Sequence, residues 1–350
     1  MSSLFNHGYA LLIGVGESAY PKLSLPVTVR DVQALKATLV NPDLCAYPDT
    51  EQHVRLLQNH GATKQAIMDE LDWLQEQAIN DPKATILIYY SGHGWLDTAS
   101  QKYYLLQHDI DPLDWQGTAL LAGQFKQSLR EIQPRRLLVI IDSCHAQGMA
   151  GLKGVELDLK LPPGIVRMAD PKGLIEELGQ GEGRVVFTSC RGEQRSWIRA
   201  DQSLSLYTYH LIEALQGSAN QPSDTTVTIS NLMTHLAKTV PSSAQAMGVM
   251  QTPRFEFDTE DFAIAQLRGG KGLTGEEVWK TEGSQESQQV QNSANVSGDS
   301  SVGIAGNSNA SVVAGSDSVV QQGTGHIQVG SIGQARDISI ESQTQEQSEK

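Results

Sequence analysis

The stretch RRLLVIIDSCHAQG, residues 135–148, decides the fold that this sequence predicts. Its apolar run at residues 137–141 is continuous, which is typical of a strand buried on both faces of a parallel sheet. A second stretch of the same form, ATILIYYSGHG, covers residues 84–94. Both runs end in small and polar residues, and the carboxyl ends of strands line the functional crevice of an open α/β sheet. The two stretches therefore predict strands of one sheet whose ends can meet at a site.

The segments around these strands alternate between apolar runs and helical patterns up to about residue 265. Thr63 precedes one such pattern as its cap, and Ile67, Leu71 and Leu74 follow at helical spacing. The alternation predicts an α/β fold in which helices cover both faces of a mostly parallel sheet. The predicted strands are residues 9–15, 53–59, 84–92, 135–144 and 184–190, with short extended segments near 103–107, and the predicted helices are residues 29–40, 63–79, 120–132, 205–215 and 229–240.

Composition sets the predicted domain boundaries. Residues 1–265 form the α/β domain, and residues 148–183 within it, rich in Gly, Pro and charge, form a long surface excursion and a candidate processing region. Residues 266–290 form a linker. Residues 291–340 form a repetitive region, and residues 341–350 form a disordered tail.

The repetitive region is dominated by Gly, Ser, Asn, Gln and Val. Gly298, Gly306, Gly315 and Gly323 recur every eight or nine residues, each followed by small polar residues and then Val or Ile. A disordered segment and a small β-solenoid both fit this pattern.

The charge and the cysteines exclude several classes of protein. A net charge of -14 argues against binding to nucleic acid or to an anionic membrane surface. The chain has 3 cysteines and no CxxC pair, which indicates neither a disulfide framework nor a structural zinc site. With no basic signal start and no segment long enough to span a membrane, the sequence predicts a soluble cytoplasmic protein.

The segment GVGESA, residues 14–19, matches the G-x-G-x-x-A pattern of dinucleotide-binding turns. Such a site needs a helix directly after the glycines, so that its amides meet the pyrophosphate. Pro21 and Pro26 follow instead, so we interpret the segment as a loop and expect no organic cofactor there.

His93 and Cys144 carry the chemistry that the two strand ends predict. An imidazole near a thiol raises the thiolate fraction, the thiolate can attack a carbonyl carbon, and the imidazole can protonate the leaving amine. The backbone amides of Gly94 and Cys144 could together hold the oxyanion. The adjacent His145 is a competing base and a third candidate zinc ligand, but an extended chain would point it elsewhere, and no fourth ligand supports zinc.

With these motifs the chain resembles the caspase-like cysteine peptidases, in particular the metacaspases and the bacterial orthocaspases. YYSGHG (89–94) and DSCHAQG (142–148) match the family's histidine and cysteine motifs, and the resemblance covers about residues 7–260, including FTSCRGEQRSW (187–197) and SLYTYHLIEAL (205–215). It implies peptide-bond hydrolysis through an acyl-enzyme, with Cys144 as nucleophile and His93 as general acid and base. A backbone carbonyl can orient the histidine, and no organic cofactor is implied.

The resemblance also implies specificity for Arg or Lys before the cut. Asp31 and Asp142 match acidic pocket positions of metacaspase-like members, and Ser91 matches a pocket hydroxyl, whereas Thr28 replaces a small pocket residue. Two carboxylates can pair bidentately with a guanidinium. Taken alone, Asp31 would be a helix-start residue and Asp142 a turn residue. A pocket selective for Asp, as in animal caspases, is the alternative within the family.

Calcium, self-cleavage and a scaffold role complete the expectations. Asp109 and Asp111 lie in a loop comparable to a calcium site of relatives, but Gly151 stands where an acidic residue follows the cysteine motif, so calcium is a candidate cofactor that we do not expect to be required.

The excursion offers candidate self-cleavage sites at Lys153, Lys160, Arg167, Lys172 and Arg184. The expected partner is a protein or peptide substrate, and the repetitive region is a candidate surface for self-association. A catalytically silent scaffold that acts through this tail is the alternative from another class.

Overall fold

A computed structural model describes residues 4–134, 136–143, 145–146, 163–167, 183–192, 194–257 and 259–268, together with short strands between residues 293 and 331. The chain divides into two compact units, Met1–Trp279 and Lys280–Lys350.

The larger unit is built on a six-stranded sheet of β1 (Gly8–Gly14), β2 (Val54–Gln58), β3 (Thr85–Gly92), β7 (Arg136–Ser143), β10 (Arg184–Thr188) and β13 (Arg254–Phe257). The strand order is β13-β10-β7-β3-β1-β2. All neighbours pair in parallel except β13, which adds an antiparallel edge beside β10. The mostly parallel sheet that the apolar runs predict is therefore confirmed.

Helices cover both faces of this sheet, because alternate residues of each central strand point to opposite sides. Ile86 and Ile88 of β3 face the cluster that contains Leu71, whereas Leu87 faces the cluster that contains Leu35. Helices α2 (Lys64–Asn80) and α4 (Ala122–Glu131) pack on the first face, and α1 (Val27–Val40), α5 (Leu206–Leu215) and α6 (Ile229–Ala246) pack on the second. A short helix, α3 (Trp115–Thr118), precedes α4.

The close approach of α1 to β1 explains the glycine pattern of residues 14–19. A Cβ at Gly14 would lie 2.6 Å from Val32 Cγ2 and 2.7 Å from the Thr28 carbonyl oxygen. A 3-10 turn at Pro21–Leu23 follows, and α1 begins only at Val27. Gly14 thus allows α1 to pack closely on the end of β1, and the segment after it is a loop, as its prolines predict.

A second, four-stranded sheet lies after β3 in the order β6-β5-β4-β9. It joins β4 (Gly94–Asp97), β5 (Lys102–Leu105), β6 (Leu120–Leu121) and β9 (Ile165–Arg167), all antiparallel. β9 belongs to the segment that the sequence predicts as a surface excursion, and it pairs with β4 through Leu96↔Val166. Apart from residues 163–167 and 183, the segment 148–183 lies outside the described part of the chain.

The C-terminal third of the larger unit contains one departure from prediction. α6 runs to Ala246 and passes through Pro241, whereas the sequence pattern predicts an end at Val240. Val240 and Ala244 are both 0% exposed, so burial on either side of the proline outweighs the lost backbone hydrogen bond. Two small pairings complete this part: β8 (His145–Ala146) with β11 (Ser196–Trp197), and β12 (Thr226–Thr228) with β14 (Ala263–Gln266).

The smaller unit contains two antiparallel groups of strands. β15 (Ser293–Ala294), β16 (Gly303–Ala305) and β17 (Ser311–Val313) form one, and β18 (Ser318–Gly323) and β19 (His326–Ser331) form the other. The solenoid and disorder interpretations of residues 291–340 both stay predictions. Across the described helices, none is long and apolar enough to cross a membrane.

Candidate active site

The strand register brings both motifs to the same edge of the sheet. Ser91 lies beside Gly14 on one side and beside Asp142 on the other, and Gly92 pairs with Ser143. The chain therefore leaves β3 at His93 and leaves β7 at Cys144 on adjacent strands, as the shared apolar pattern predicts. Cys144 itself lies outside the described residues, so its contacts are not part of this geometry.

His93 lies between β3 and β4 and is only 7% exposed. Its Nε2 is 3.1 Å from the carbonyl oxygen of Leu23, in the 3-10 turn that precedes α1. A carbonyl can only accept, so this contact requires the proton on Nε2 and leaves Nδ1 as the basic nitrogen of a neutral ring. The backbone carbonyl that the family resemblance implies as the orienting group is thus present.

The buried side chain of Tyr90 holds the backbone at His93 in place. The Tyr90 hydroxyl lies 2.9 Å from the carbonyl oxygen of His93 and 2.7 Å from that of Leu106, and its single proton can be shared between the two. The Leu106 amide also donates to the His93 carbonyl at 3.0 Å. Gly94, the predicted oxyanion donor, follows as the first residue of β4, opposite Leu105. The segment 93–94 is therefore held in place from several directions.

Asp31 is the fifth residue of α1, one turn after the start of the helix, and is 0% exposed. Its Oδ1 accepts a hydrogen bond from the Ser205 amide at 2.8 Å, and its Oδ2 accepts one from Ser91 Oγ at 3.3 Å. The structure thus joins Asp31 and Ser91, two of the predicted pocket residues, across α1 and β3. Thr28, one turn earlier on α1, is buried and donates its hydroxyl to the Leu25 carbonyl at 3.0 Å.

Asp142, the last residue but one of β7, is also 0% exposed. Its Oδ1 accepts from Ser196 Oγ at 2.7 Å, and its Oδ2 accepts from Ser205 Oγ at 2.8 Å and from the Tyr89 hydroxyl at 3.4 Å. Ser205 therefore contacts both carboxylates, through its amide to Asp31 and through its hydroxyl to Asp142. Asp31, Ser91 and Asp142 form one polar cluster, named here the acidic pocket.

Three partners of these carboxylates, Tyr89, Ser196 and Ser205, lie in segments that match the family but are not among the predicted site residues. Ser205 is the N-cap of α5 and accepts from the Thr208 amide at 3.1 Å, a role that a serine before a helical pattern could have predicted. The Tyr89 hydroxyl lies 2.5 Å from Thr208 Oγ1. Ser196, on β11, lies in the matched segment 187–197, but no pattern within that segment singles out this serine. Four hydroxyl side chains thus surround a pair of buried acids.

The negative charge of the acidic pocket acts on two buried tyrosines, Tyr89 and Tyr207. Burial raises the pKa of the Tyr89 hydroxyl well above its ordinary value, and the Asp142 and Asp31 carboxylates raise it further. Burial and then Asp142 likewise raise the pKa of Tyr207. Because a negative field opposes loss of a proton, both hydroxyls stay protonated at physiological pH.

Asp109 and Asp111 take part in local backbone contacts. Asp109 Oδ1 accepts from the Lys64 amide at 2.9 Å, at the start of α2, and Asp111 Oδ1 accepts from the Leu113 amide at 2.8 Å. Both are exposed. Neither belongs to a group of three ligand-type side chains within the part of the chain that the structure describes.

The chain shares its sequence pattern with a known family over most of its length. The profile of the caspase domain matches residues 7–263. A comparison with curated protein sequences found no match. Among solved structures, the crystal structure of caspase-1 from Spodoptera frugiperda is similar to this chain, with a TM-score of 0.44 and 16% identity over 77% of this chain and 92% of that one.

Proposed function

The chain belongs to the caspase-domain family and is a cysteine-type endopeptidase, and from this premise we propose that it cuts proteins after Arg or Lys with His93 and Cys144 as its dyad. The observation that carries the specificity is the acidic pocket, in which Asp31 and Asp142 are both 0% exposed.

The position of His93 supports its role as the acid and base. With Nε2–H donated to the Leu23 carbonyl, Nδ1 is the nitrogen that can take the proton of a thiol. In the proposed mechanism Nδ1 accepts the Cys144 proton and the thiolate attacks the scissile carbonyl. The imidazolium then protonates the leaving amine, and water later cleaves the thioester with His93 as base. The amides of Gly94 and Cys144 are the proposed oxyanion donors.

The other cysteines support Cys144 as the nucleophile by exclusion. Cys45 is buried, and burial raises the pKa of its thiol far above its ordinary value. Cys190 is also buried, and its Sγ lies 3.3 Å from the Gln194 carbonyl oxygen. The nucleophilic form of a cysteine is the thiolate, and buried apolar surroundings disfavour the thiolate. Burial therefore makes Cys45 and Cys190 poor nucleophiles.

The acidic pocket supports a cationic substrate side chain. A guanidinium or ammonium that enters it would meet two carboxylates held in place by Ser91, Ser196 and Ser205. In a buried site, screening by solvent is weak and opposite charges interact strongly. A substrate Asp would bring a third negative charge to the same place, and that repulsion weighs against Asp specificity.

The proposal includes self-cleavage in the excursion at residues 148–183. Arg184 is a poor site, because it is 8% exposed and donates to the carbonyls of Leu129 and Ile132 at 2.8 and 3.2 Å. Arg167 is part of β9, where it pairs with Trp95. Lys153, Lys160 and Lys172 remain the preferred candidates, and they lie outside the described residues. If wild type and Cys144→Ala give identical fragment patterns, self-cleavage is excluded.

We also propose that the protein acts in the cytoplasm, on the ground of its few cysteines, and that the strands of the tail mediate self-association. Calcium stays a candidate regulator at Asp109 and Asp111. Sedimentation of the full-length Cys144→Ala protein over a range of concentrations tests association, because a mass that stays monomeric throughout would contradict it.

Fluorogenic peptides that end in Arg, Lys or Asp test the proposed function. Wild-type protein should turn over the Arg and Lys peptides and leave the Asp peptide intact, and Cys144→Ala should turn over none. Turnover of the Asp peptide would support the animal-caspase type of pocket. Absence of turnover with and without calcium would support the scaffold alternative.

A further inference from the structure

Three ligand-type side chains meet where α5 packs on α6, on residues that the peptidase chemistry does not use. His210 and Glu213 are three positions apart on α5, so they share one helix face. His235 approaches them from α6. Glu213 Oε2 lies 2.6 Å from His210 Nδ1 and 3.1 Å from His235 Nε2. Within the described residues, this cluster gathers three potential metal ligands, with all ligand atoms within 4.8 Å of one another.

The three side chains are largely buried, as the ligands of a metal site usually are. The side chains of His210 and His235 are only 8% and 12% exposed, and Glu213 is 32% exposed, which leaves a path to solvent on the carboxylate side. Glu213 Oε2 accepts from both imidazoles, so the two ring nitrogens and the carboxylate oxygen converge on one point. A bound metal ion would take the place of the ring protons that make these two hydrogen bonds.

A serine lies beside the other ring nitrogen of His210, with Nε2 2.8 Å from Ser243 Oγ. Once a metal ion replaces the Nδ1 proton, the neutral ring carries its proton on Nε2 and can donate it to that hydroxyl. Metal-binding histidines usually donate their second ring nitrogen to such a partner. Arg199, whose guanidinium lies over the ring of the neighbouring Tyr209, is paired with Asp201 at 2.9 Å, so its charge is compensated.

We propose that His210, Glu213 and His235 bind a divalent transition-metal ion between α5 and α6, with zinc as the best match and water as the fourth ligand. Two imidazoles and one carboxylate are a frequent zinc donor set. Tetrahedral bonds of about 2.1 Å place ligand atoms about 3.4 Å apart, so a small outward shift of the carboxylate opens the cluster to the ion.

The ion would fasten the helix that supports the acidic pocket. α5 begins after Ser205, whose amide and hydroxyl hold Asp31 and Asp142. His210 follows in the next turn of the same helix. A metal that joins α5 to α6 therefore stabilises the support of the acidic pocket from a distance, and its binding can be measured without any peptidase activity.

The test uses the full-length chain with Cys144→Ala, because the Cys144 thiolate would itself bind zinc. Titration with Zn²⁺ in competition with a chromophoric chelator should show one tight equivalent. His235→Gln keeps a hydrogen-bond donor for Glu213 but removes a metal ligand. It should lower the affinity for Zn²⁺ by more than about 100-fold, which is more than the loss of a residue that only contacts a ligand would cause. Ser243→Ala removes such a positioning residue and should lower the affinity for Zn²⁺ by about tenfold.

His60→Gln is the matched control, because His60 is an exposed histidine outside the cluster. Co²⁺ gives a second readout: the cluster should produce visible d–d bands without a sulfur charge-transfer band, and His235→Gln should abolish them. If Zn²⁺ shows no tight equivalent, or if His60→Gln and His235→Gln weaken binding equally, the proposal is overturned and Glu213 serves only as a hydrogen-bond bridge. His210→Gln is a confirmatory variant whose folding is checked by thermal unfolding.

Discussion

Replacing Asp31 by Asn tests whether the acidic pocket selects a cation. Asp31 is 0% exposed, and Asn can keep the two hydrogen bonds to Ser91 and Ser205. The Asn carbonyl can accept from the Ser205 amide, and the Asn amide can donate to Ser91 Oγ, where the carboxylate now accepts. The substitution therefore removes one negative charge while it preserves shape and hydrogen bonding.

The size of the effect follows from the burial of this charge. Two unit charges about 5 Å apart at an effective dielectric of about 20 attract by about 3 kcal/mol. Because each 1.36 kcal/mol corresponds to a factor of about ten in rate, Asp31→Asn should lower kcat/KM for an Arg-ending peptide by about 100-fold. A citrulline-ending peptide has nearly the same shape without the charge, so its already slow turnover should change by less than about threefold.

The assay measures kcat/KM for both peptides with wild type, Asp31→Asn and the control Asp69→Asn, which changes an exposed carboxylate on α2. Thermal unfolding verifies that each variant is folded. If Asp31→Asn lowers kcat/KM for both peptides by the same factor, the loss is structural and the acidic pocket does not select a cation. The reasoning is equally refuted if kcat/KM for the Arg peptide is unaffected.

Two predictions concern stability. Tyr89→Phe removes the hydroxyl that contacts Asp142 and Thr208, so the free energy of unfolding in urea should fall by about 1–2 kcal/mol, and an unchanged value would mean that these contacts are not formed. Asp81→Asn should cost about 1 kcal/mol at pH 7, because the Asp81 carboxylate accepts from His7 and Tyr9. Burial raises the pKa of Asp81, but the hydrogen bonds from His7, Lys83 and Tyr9 hold it below 3.8, so this stability is present above pH 3.8 and is lost as the pH falls below it. Urea titrations across pH 2–7 should therefore show the two proteins converge at the acid end, and a constant difference would contradict that assignment.

The sheet could be predicted from the sequence because its central strands are buried on both faces. The continuous runs in β3 and β7 need no partner information to be recognised, and their polar ends mark the edge at which His93 lies. The strands β4, β5 and β9 were harder to predict, because each has only three or four residues and owes its structure to pairing.

The residues of the acidic pocket could be predicted only in part from local sequence patterns. Asp31 and Asp142 were proposed through resemblance, since each alone is an ordinary helix-start or turn residue. Ser196 and Ser205 became visible only in three dimensions, because hydroxyls from β11 and from the cap of α5 reach the same carboxylate. The cluster on α5 and α6 has the same origin: the spacing of His210 and Glu213 is visible in the sequence, whereas the approach of His235 depends on helix packing.

The most direct test of the central claim is a cleavage profile of a diverse peptide library, read by mass spectrometry, with wild-type and Cys144→Ala proteins side by side. We expect wild-type cuts almost only after Arg and Lys, and no cuts with Cys144→Ala. Cuts after Asp or after uncharged residues would contradict the role of Asp31 and Asp142, and cuts that persist with Cys144→Ala would contradict the dyad.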